Sequence, residues 1–440
     1  MLERLFKLPD HQTTVKTEII AGITTFMTMA YILIVNPQIL STTGMDTAAL
    51  VTATALSAMI ATLVMALYAK FPFALAPGMG LNAFFAYTVV AGMGYSWQFA
   101  LTAVFLEGLI FILLTLFNAR TAIFNSIPVN LKHAVSVGIG LFIAFIGLVN
   151  SGIVVSGKFP VGDGKLDGLI VTLGDVTSPQ PAVALVGILI TGILLAKNIK
   201  GALLIGIIAC TLLGIPLGVT HFPEGFSFIS SPPSLAPIFR KFSFAHVFTL
   251  DMLIVLFTFL FVDLFDTVGT LAGVAAKTGM LDDEGRLPGV QRALFADAVG
   301  TTVGAILGTS TVTTYVESAA GIAEGGRTGL TALTTAAMFA IALFFAPLFT
   351  MIPAAATAPA LVLVGLFMMS AGWKINFRDY TEAIPAFLTI IMMPLTYSIS
   401  EGIIFGMLSY VGLKLLTGKH REVSPLAYLL AIAFLLKLFL

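Results

Sequence analysis

Three short polar stretches interrupt an otherwise apolar chain, and each carries residues able to do chemistry. The first is Phe261-Val262-Asp263-Leu264-Phe265-Asp266-Thr267-Val268-Gly269-Thr270. Asp263 and Asp266 are three apart and share a helix face, with Thr267 and Thr270 beside them. Carboxylates within an apolar span are costly, and two so close cannot both ionise easily. That suits a proton carrier. A metal-filled pair is the alternative, weakened because no His or Cys lies close in sequence. The second stretch, Gly308 to Ser318, is rich in hydroxyls and strand formers and ends in Glu317-Ser318. The third is Ala76-Pro77-Gly78-Met79-Gly80-Leu81-Asn82-Ala83. Pro77 removes a backbone donor, and Gly78 and Gly80 admit close approach of a ligand. Asn82 stands in a good N-cap position before an apolar run. Glu317-Ser318 likewise starts a small-residue helix, so two half-helices aim their N-terminal donors at one point. Phe84, Phe261 and Phe265 are close enough in sequence to stack on a flat ring. Glu107 reads as a structural hydrogen-bonder, Asp297 as part of helix packing, and Glu324 with Arg327 as a boundary ion pair.

The elements that position these stretches are membrane spans. The chain has 440 residues, of which 58% are hydrophobic and only 10% charged, and its mean hydropathy is +1.03. A soluble domain carries about a quarter charged residues. The apolar runs are near ~20 residues, the length of a spanning helix and not of a barrel strand. Extended backbone at membrane depth is tolerated only where protein or water covers it, so the polar breaks mark function. The chain reads as an all-α polytopic membrane protein with 14 segments, the third and tenth broken at Pro77–Ala83 and Gly308–Ser318. The stretch 150–181 reads as a long loop. The last run, Pro425 to Leu440, has 16 residues; at 1.5 Å each it covers roughly 24 Å, so an interfacial helix is expected. No signal pattern for cleavage is visible at the start, and no basic tract suggests nucleic acid. The lone Cys210 gives no disulfide framework.

Charge and repetition order the segments. Of 22 Lys and Arg, 17 fall on one side of this topology and 4 (Lys158, Lys165, Arg240, Lys241) on the other, with Lys437 in the last run. The positive-inside rule then places both ends of the 14-segment body in the cytoplasm. Ile127-Pro128, eleven residues, Gly140-Leu141-Phe142 matches Ile352-Pro353, eleven residues, Gly365-Leu366-Phe367. Two halves of seven crossings must be inverted relative to each other. Inverted repeats with paired broken segments point to a transporter whose site lies at the midplane.

The motifs Gly-Met-Gly-Leu-Asn-Ala (78–83), Asp-Leu-Phe-Asp-Thr-Val-Gly-Thr (263–270) and Thr-Thr-Tyr-Val-Glu-Ser (313–318) together closely resemble AzgA-like adenine/guanine/hypoxanthine permeases of the nucleobase–ascorbate (xanthine/uracil permease) superfamily. The resemblance covers essentially the whole chain. It implies seven-plus-seven inverted repeats, with a core domain (1–127 and 247–351) and a gate domain (128–246 and 352–440). Segments 3 and 10 would each hold a short strand before a half-helix, the strands pairing near the centre. It implies proton-coupled purine uptake across the cytoplasmic membrane, with homodimers formed through the gate domain. By motif position, Asp263 and Glu317 would hold the base, Asn82 and Gly80 would shape the pocket, and Asp266 would modulate binding or proton coupling, a task Asp263 and Glu317 share. Backbone N–H groups near Ala83 and Val316 would reach the ligand. Unlike uracil and xanthine permeases, the 263–270 motif opens with Asp rather than Glu and has Thr267 rather than His one turn on, which favours the purine branch and puts a His-based proton relay in doubt.

The other classes fit less well. A same-fold anion carrier predicts a site without fixed carboxylates, and a xanthine/uracil carrier predicts the Glu/His pattern. A channel predicts flux far above carrier rates. No nucleophile–base arrangement or nucleotide-binding motif is visible, so neither an enzyme nor a cofactor nor a metal is expected.

Overall fold

The computed structural model describes residues 2–117, 128–157, 159–161, 165–167, 171–222, 227–278, 280 and 287–439. Arg120, Lys158 and Arg286 of the charge count lie outside them. Eight helices among the described residues are long and apolar enough to cross a membrane, from Val15–Ser41 to Ile399–Leu416. The chain is a mostly helical, multi-pass membrane protein.

Several helices begin where short polar side chains satisfy orphan N–H groups of the first turn. The Thr14 hydroxyl accepts from Thr17 N ahead of α1 (Val15–Met29). After a break, α2 (Ile32–Ser41) completes that span. Asp46 caps α3 (Thr47–Val64) through Ala49 N at 2.7 Å. The first polar break follows as strand β1 (Leu75–Pro77) and α4 (Met79–Ala83), which continues as a π-helix over Phe84–Gly92. Then come α5 (Trp97–Leu116) and α6 (Val129–Asn150). The expected loop at 150–181 instead holds four strands, β2 (Val154–Ser156), β3 (Phe159–Val161), β4 (Lys165–Asp167) and β5 (Val171–Leu173). They pair as two antiparallel ladders, β2 with β5 and β3 with β4. Three-residue strands are too short for a periodic signal, so the pattern was invisible to sequence reading, and the chain is not purely α.

The second half runs through α7 (Pro179–Ala196), α8 (Ala202–Gly214), α9 (Leu250–Thr278) and α10 (Val290–Leu307). The second polar break is strand β6 (Val312–Thr314) and α11 (Ser318–Ala323). The chain closes with α12 (Gly329–Ala342), α13 (Ala354–Met369), α14 (Tyr380–Leu395), α15 (Ile399–Leu416) and α16 (Pro425–Phe439).

Two sets of helices pack among themselves. In one, α10 lies along α3 and α5, and α12 along α1 and α3. In the other, α6 lies along α13 and α14, and α14 along α15. Buried polar residues pin each set. Glu18, fully buried, accepts from Arg327 N at 2.9 Å, Thr331 N at 3.1 Å and the Thr328 and Thr331 hydroxyls at 2.9 and 2.7 Å. It thereby satisfies donors at the start of α12, where a negative charge is favoured. In the second set, buried Lys414 pairs with Glu382 at 2.8 Å and Glu422 at 2.6 Å. The boundary pair expected between Glu324 and Arg327 is absent: Glu324 pairs with Lys200, and Arg327 donates to the carbonyls of Ile322 and Gly326.

Candidate functional site

The two polar breaks meet. β1 and β6 pair antiparallel, Leu75 opposite Thr314, Ala76 opposite Thr313 and Pro77 opposite Val312. All six residues are buried. Extended backbone here needs internal partners, and they are present. Tyr315 N donates to Ala74 O at 3.0 Å and Gly78 N to Thr311 O at 2.9 Å. Ala74 N donates to the Ser318 hydroxyl at 3.0 Å, and the Thr62 and Thr301 hydroxyls donate to Leu75 O and Val312 O. The Tyr315 hydroxyl donates to Pro77 O at 2.5 Å.

One group of side chains gathers where the strands end. Asp266 on α9, Glu317 at the start of α11, Tyr31 between α1 and α2, and Tyr315 lie within electrostatic reach of one another. The Tyr31 hydroxyl donates to Glu317 Oε1 at 2.6 Å. Glu317 is half-buried, and its neighbour Val316 is 47% exposed between it and buried Tyr315. Gly78 lies close to Asp266 Oδ2, and a Cβ there would stand 2.7 Å from Thr313 Cγ2, so glycine lets the end of β1 pack against β6.

Asp263 bonds an adjoining set of residues. The Thr267 hydroxyl lies 3.1 Å from Asp263 Oδ1, 2.7 Å from Asp297 Oδ1 and 2.7 Å from the Thr313 hydroxyl. A spacing of three puts two side chains about 60° apart around a helix. Here Asp266 lies within electrostatic reach of Glu317 and also of Asp297, while Asp263 bonds Thr267, so the two groups adjoin through Asp297. Asp297 and Glu107 act as hydrogen-bonders, and both serve the second break, Glu107 by accepting from Thr311 at 2.6 Å.

The remaining predicted residues divide. Asn82 is not a cap. Gly78 is the N-cap of α4, and Asn82 is its fourth residue, buried, with its Oδ1 accepting from the Ser310 hydroxyl. Gly78's extended backbone started the helix one turn earlier than the sequence suggested. Asn82 Nδ2 is a buried donor without a hydrogen-bond partner among the described residues. Ala83 lies one residue beyond Asn82, whose N–H already bonds Gly78 O. The first-turn donors left over by the helix pattern are those of Met79, Gly80 and Leu81. Gly80 faces α6, where an added Cβ would meet Ile139 Cγ2 at 2.7 Å. Phe84 is buried edge-on against Phe259, with ring centroids 4.8 Å apart. Phe261 is turned away: with Phe111, Leu264 and Phe434 it lines an apolar cavity of about 420 Å³ between α5, α9 and α16. The side chain of Phe265 lies outside the described residues.

Tyr31 and the anchoring role of Tyr315 were missed. A tyrosine in an apolar run reads as packing. The available signal was its place among Thr24, Thr25, Thr28 and Asn36, a polar stripe along the first span.

Comparison with known proteins gives a consistent result. The profile of a permease family (xanthine/uracil permeases) matches residues 16–405. The guanine/hypoxanthine permease PbuO of Bacillus subtilis (strain 168) is 45% identical over 441 residues, covering 99% of this chain and 100% of that protein. The adenine permease AdeP of Escherichia coli (strain K12) is 43% identical over 438 residues, covering 100% of this chain and 96% of that one. Among solved structures, the transmembrane domain of the cyanobacterial bicarbonate transporter BicA superposes with a TM-score of 0.63 at 17% identity, covering 88% of this chain and 97% of that one. At that identity the likeness concerns the fold alone.

Proposed function

The chain belongs to this permease family, and from that premise we propose that it carries purine nucleobases, hypoxanthine, guanine or adenine, across the plasma membrane by proton symport. The relatives named for adenine and for guanine/hypoxanthine support the substrate class. The observation that carries the reading is the convergence of Asp266, Glu317 and Tyr31 beside the paired strands.

A neutral purine has edge N–H donors and ring-nitrogen acceptors. Glu317 and Asp266 accept from the donors. The Asn82 amide and the first-turn N–H groups of α4 serve the acceptors, and Phe84 supports an apolar wall. Leaving any of these groups buried and unpaired costs about 1–3 kcal/mol, so the base is chosen by its hydrogen-bond pattern. Asp266 replaces Asp263 as the carboxylate that meets the base. Asp263, held with Asp297 by Thr267, is assigned to the proton path together with Asp266 and Glu317. The N–H of Val316 adds a donor.

The architecture in this reading is 14 crossings as seven-plus-seven inverted repeats, with both ends of the 14-segment body in the cytoplasm. The core domain is 1–127 with 247–351, and the gate domain is 128–246 with 352–440. The two packed sets of helices support that division. Alternating access rocks one set against the other around the site, and the gate domain offers the dimer surface. The buried carboxylates disfavour an anion carrier.

Uptake of radiolabelled hypoxanthine, guanine and adenine in cells lacking their own purine uptake tests the proposal. Accumulation abolished by a protonophore is expected. Failure to take up any of the three would refute the substrate class, and accumulation indifferent to the protonophore would refute symport.

A further inference from the structure

Tyr31 holds one oxygen of the central carboxylate. Its hydroxyl lies 2.6 Å from Glu317 Oε1, the short distance of a hydrogen bond to an ionised acceptor. The ring is buried, at 1% exposure, so the phenol cannot swing into water. Tyr31 sits in the break between α1 and α2, which turns the side chain out of the helix register and toward the start of α11. Thr28, one turn earlier, reaches Glu317 O at 3.4 Å. The first span thus grips Glu317 at both its backbone and its side chain. Among the described residues Tyr31 is the only side-chain donor to the Glu317 carboxylate.

We propose that Tyr31 is a positioning and specificity residue: by taking one acceptor site of Glu317 Oε1 it orients the carboxylate and weakens that oxygen as an acceptor for the base. This rests on the reading of Glu317 as a base-binding carboxylate. The consequence is chemical. Guanine presents two adjacent donors, the ring N1–H and the exocyclic amine, which match both oxygens of a carboxylate. Hypoxanthine presents N1–H without the amine. With Tyr31 in place the second donor of guanine must share Oε1 with the phenol, and the preference for guanine over hypoxanthine is reduced there. With the phenol gone, Oε1 is a freed acceptor that guanine can satisfy and hypoxanthine cannot. A site built to pair a group discriminates strongly against a ligand that leaves it unpaired.

The test is equilibrium binding of labelled hypoxanthine and guanine to the purified full-length protein in lipid nanodiscs, for wild type, Tyr31→Phe, Glu317→Gln and the double variant. In Tyr31→Phe, hypoxanthine binding is expected to weaken about tenfold and guanine binding to weaken less, so that the guanine preference rises about fivefold or more. In the Glu317→Gln background, adding Tyr31→Phe should leave the preference unchanged, because Tyr31 acts through that carboxylate. Equal weakening of both bases, or no change in either, overturns the inference, since a purely structural tyrosine would move both together. If Tyr31→Phe is not recovered as a folded protein, Tyr31→Leu is read by the same ratio. Wild-type binding of both bases by Glu317→Gln overturns the underlying reading instead. Lost binding there, with an unshifted ratio in Tyr31→Phe, overturns the Tyr31 assignment alone.

Discussion

The hydroxyl of Tyr315 donates to the carbonyl of Pro77 at 2.5 Å, so a residue following β6 fastens the end of β1. Neither break is stable by itself: each is three residues of strand inside an apolar protein, and every backbone group must find a partner from the other half or from flanking hydroxyls. The pairing fixes where α4 and α11 begin, and so where Glu317 stands.

Replacing Tyr315 by Phe removes that bond and leaves the Pro77 carbonyl buried without its donor, a cost of about 1–3 kcal/mol. The variant should melt at a lower temperature in detergent and bind purine more weakly, while still reaching the membrane. A melting temperature and an affinity both equal to wild type would show that the strand ladder alone holds the break.

The two aspartates of α9 should separate in their effects. Asp266→Asn should weaken purine binding by tenfold or more, about 1.4 kcal/mol, because Asp266 lies with Glu317 and Gly78. Asp263→Asn should leave binding within a few-fold and impair transport, because Asp263 lies with Thr267. Binding measured apart from uptake decides between them. The opposite ranking would return the base to Asp263.

Gly80 allows α4 to approach α6. A Cβ at that position would stand 2.7 Å from Ile139 Cγ2, and overpacking of this kind costs about 1–3 kcal/mol. Gly80→Val should therefore reduce uptake, and Ile139→Ala in the same chain should restore part of it by making room. A double variant no better than Gly80→Val would place the defect elsewhere than in this contact.

What the sequence revealed and what it hid have physical causes. The spans and the two breaks were legible because apolar length and the Pro/Gly and hydroxyl interruptions are local properties. That Glu317 starts a helix was legible for the same reason. The division of labour proposed for Asp263 and Asp266 was not, because it depends on which neighbours lie on either side of one helix, and a three-residue spacing cannot resolve about 60° of rotation. Asn82 was misread as a cap because Gly78, without a capping side chain, was not recognised as the start of α4. Tyr31 stayed hidden because its partner is 286 residues away. The hairpins of 154–173 were missed because three-residue strands carry no period.

The last prediction concerns the motion. The π-helical continuation of α4 touches the other helix set through Tyr87. Its ring lies 5.5 Å from that of Tyr397, which also packs on Phe142 at 5.3 Å. Asn150 Nδ2 donates to the Tyr87 hydroxyl at 3.3 Å, and Ile399 N to the Thr88 hydroxyl at 3.4 Å. Tyr397 holds φ at 55°, a left-handed backbone that is uncommon for a bulky side chain and that sets its ring between α14 and α15. If one set rocks against the other, these contacts must part in every cycle. Cysteines at 87 and 397, in a chain whose single native cysteine Cys210 is replaced by alanine, can be bridged by a short reagent cleavable with reductant. Bridging should stop uptake, reductant should restore it, and purine binding to the bridged protein should persist on its accessible side. Undiminished uptake by the fully bridged protein would mean that the two sets do not separate at Tyr87 and Tyr397 during transport.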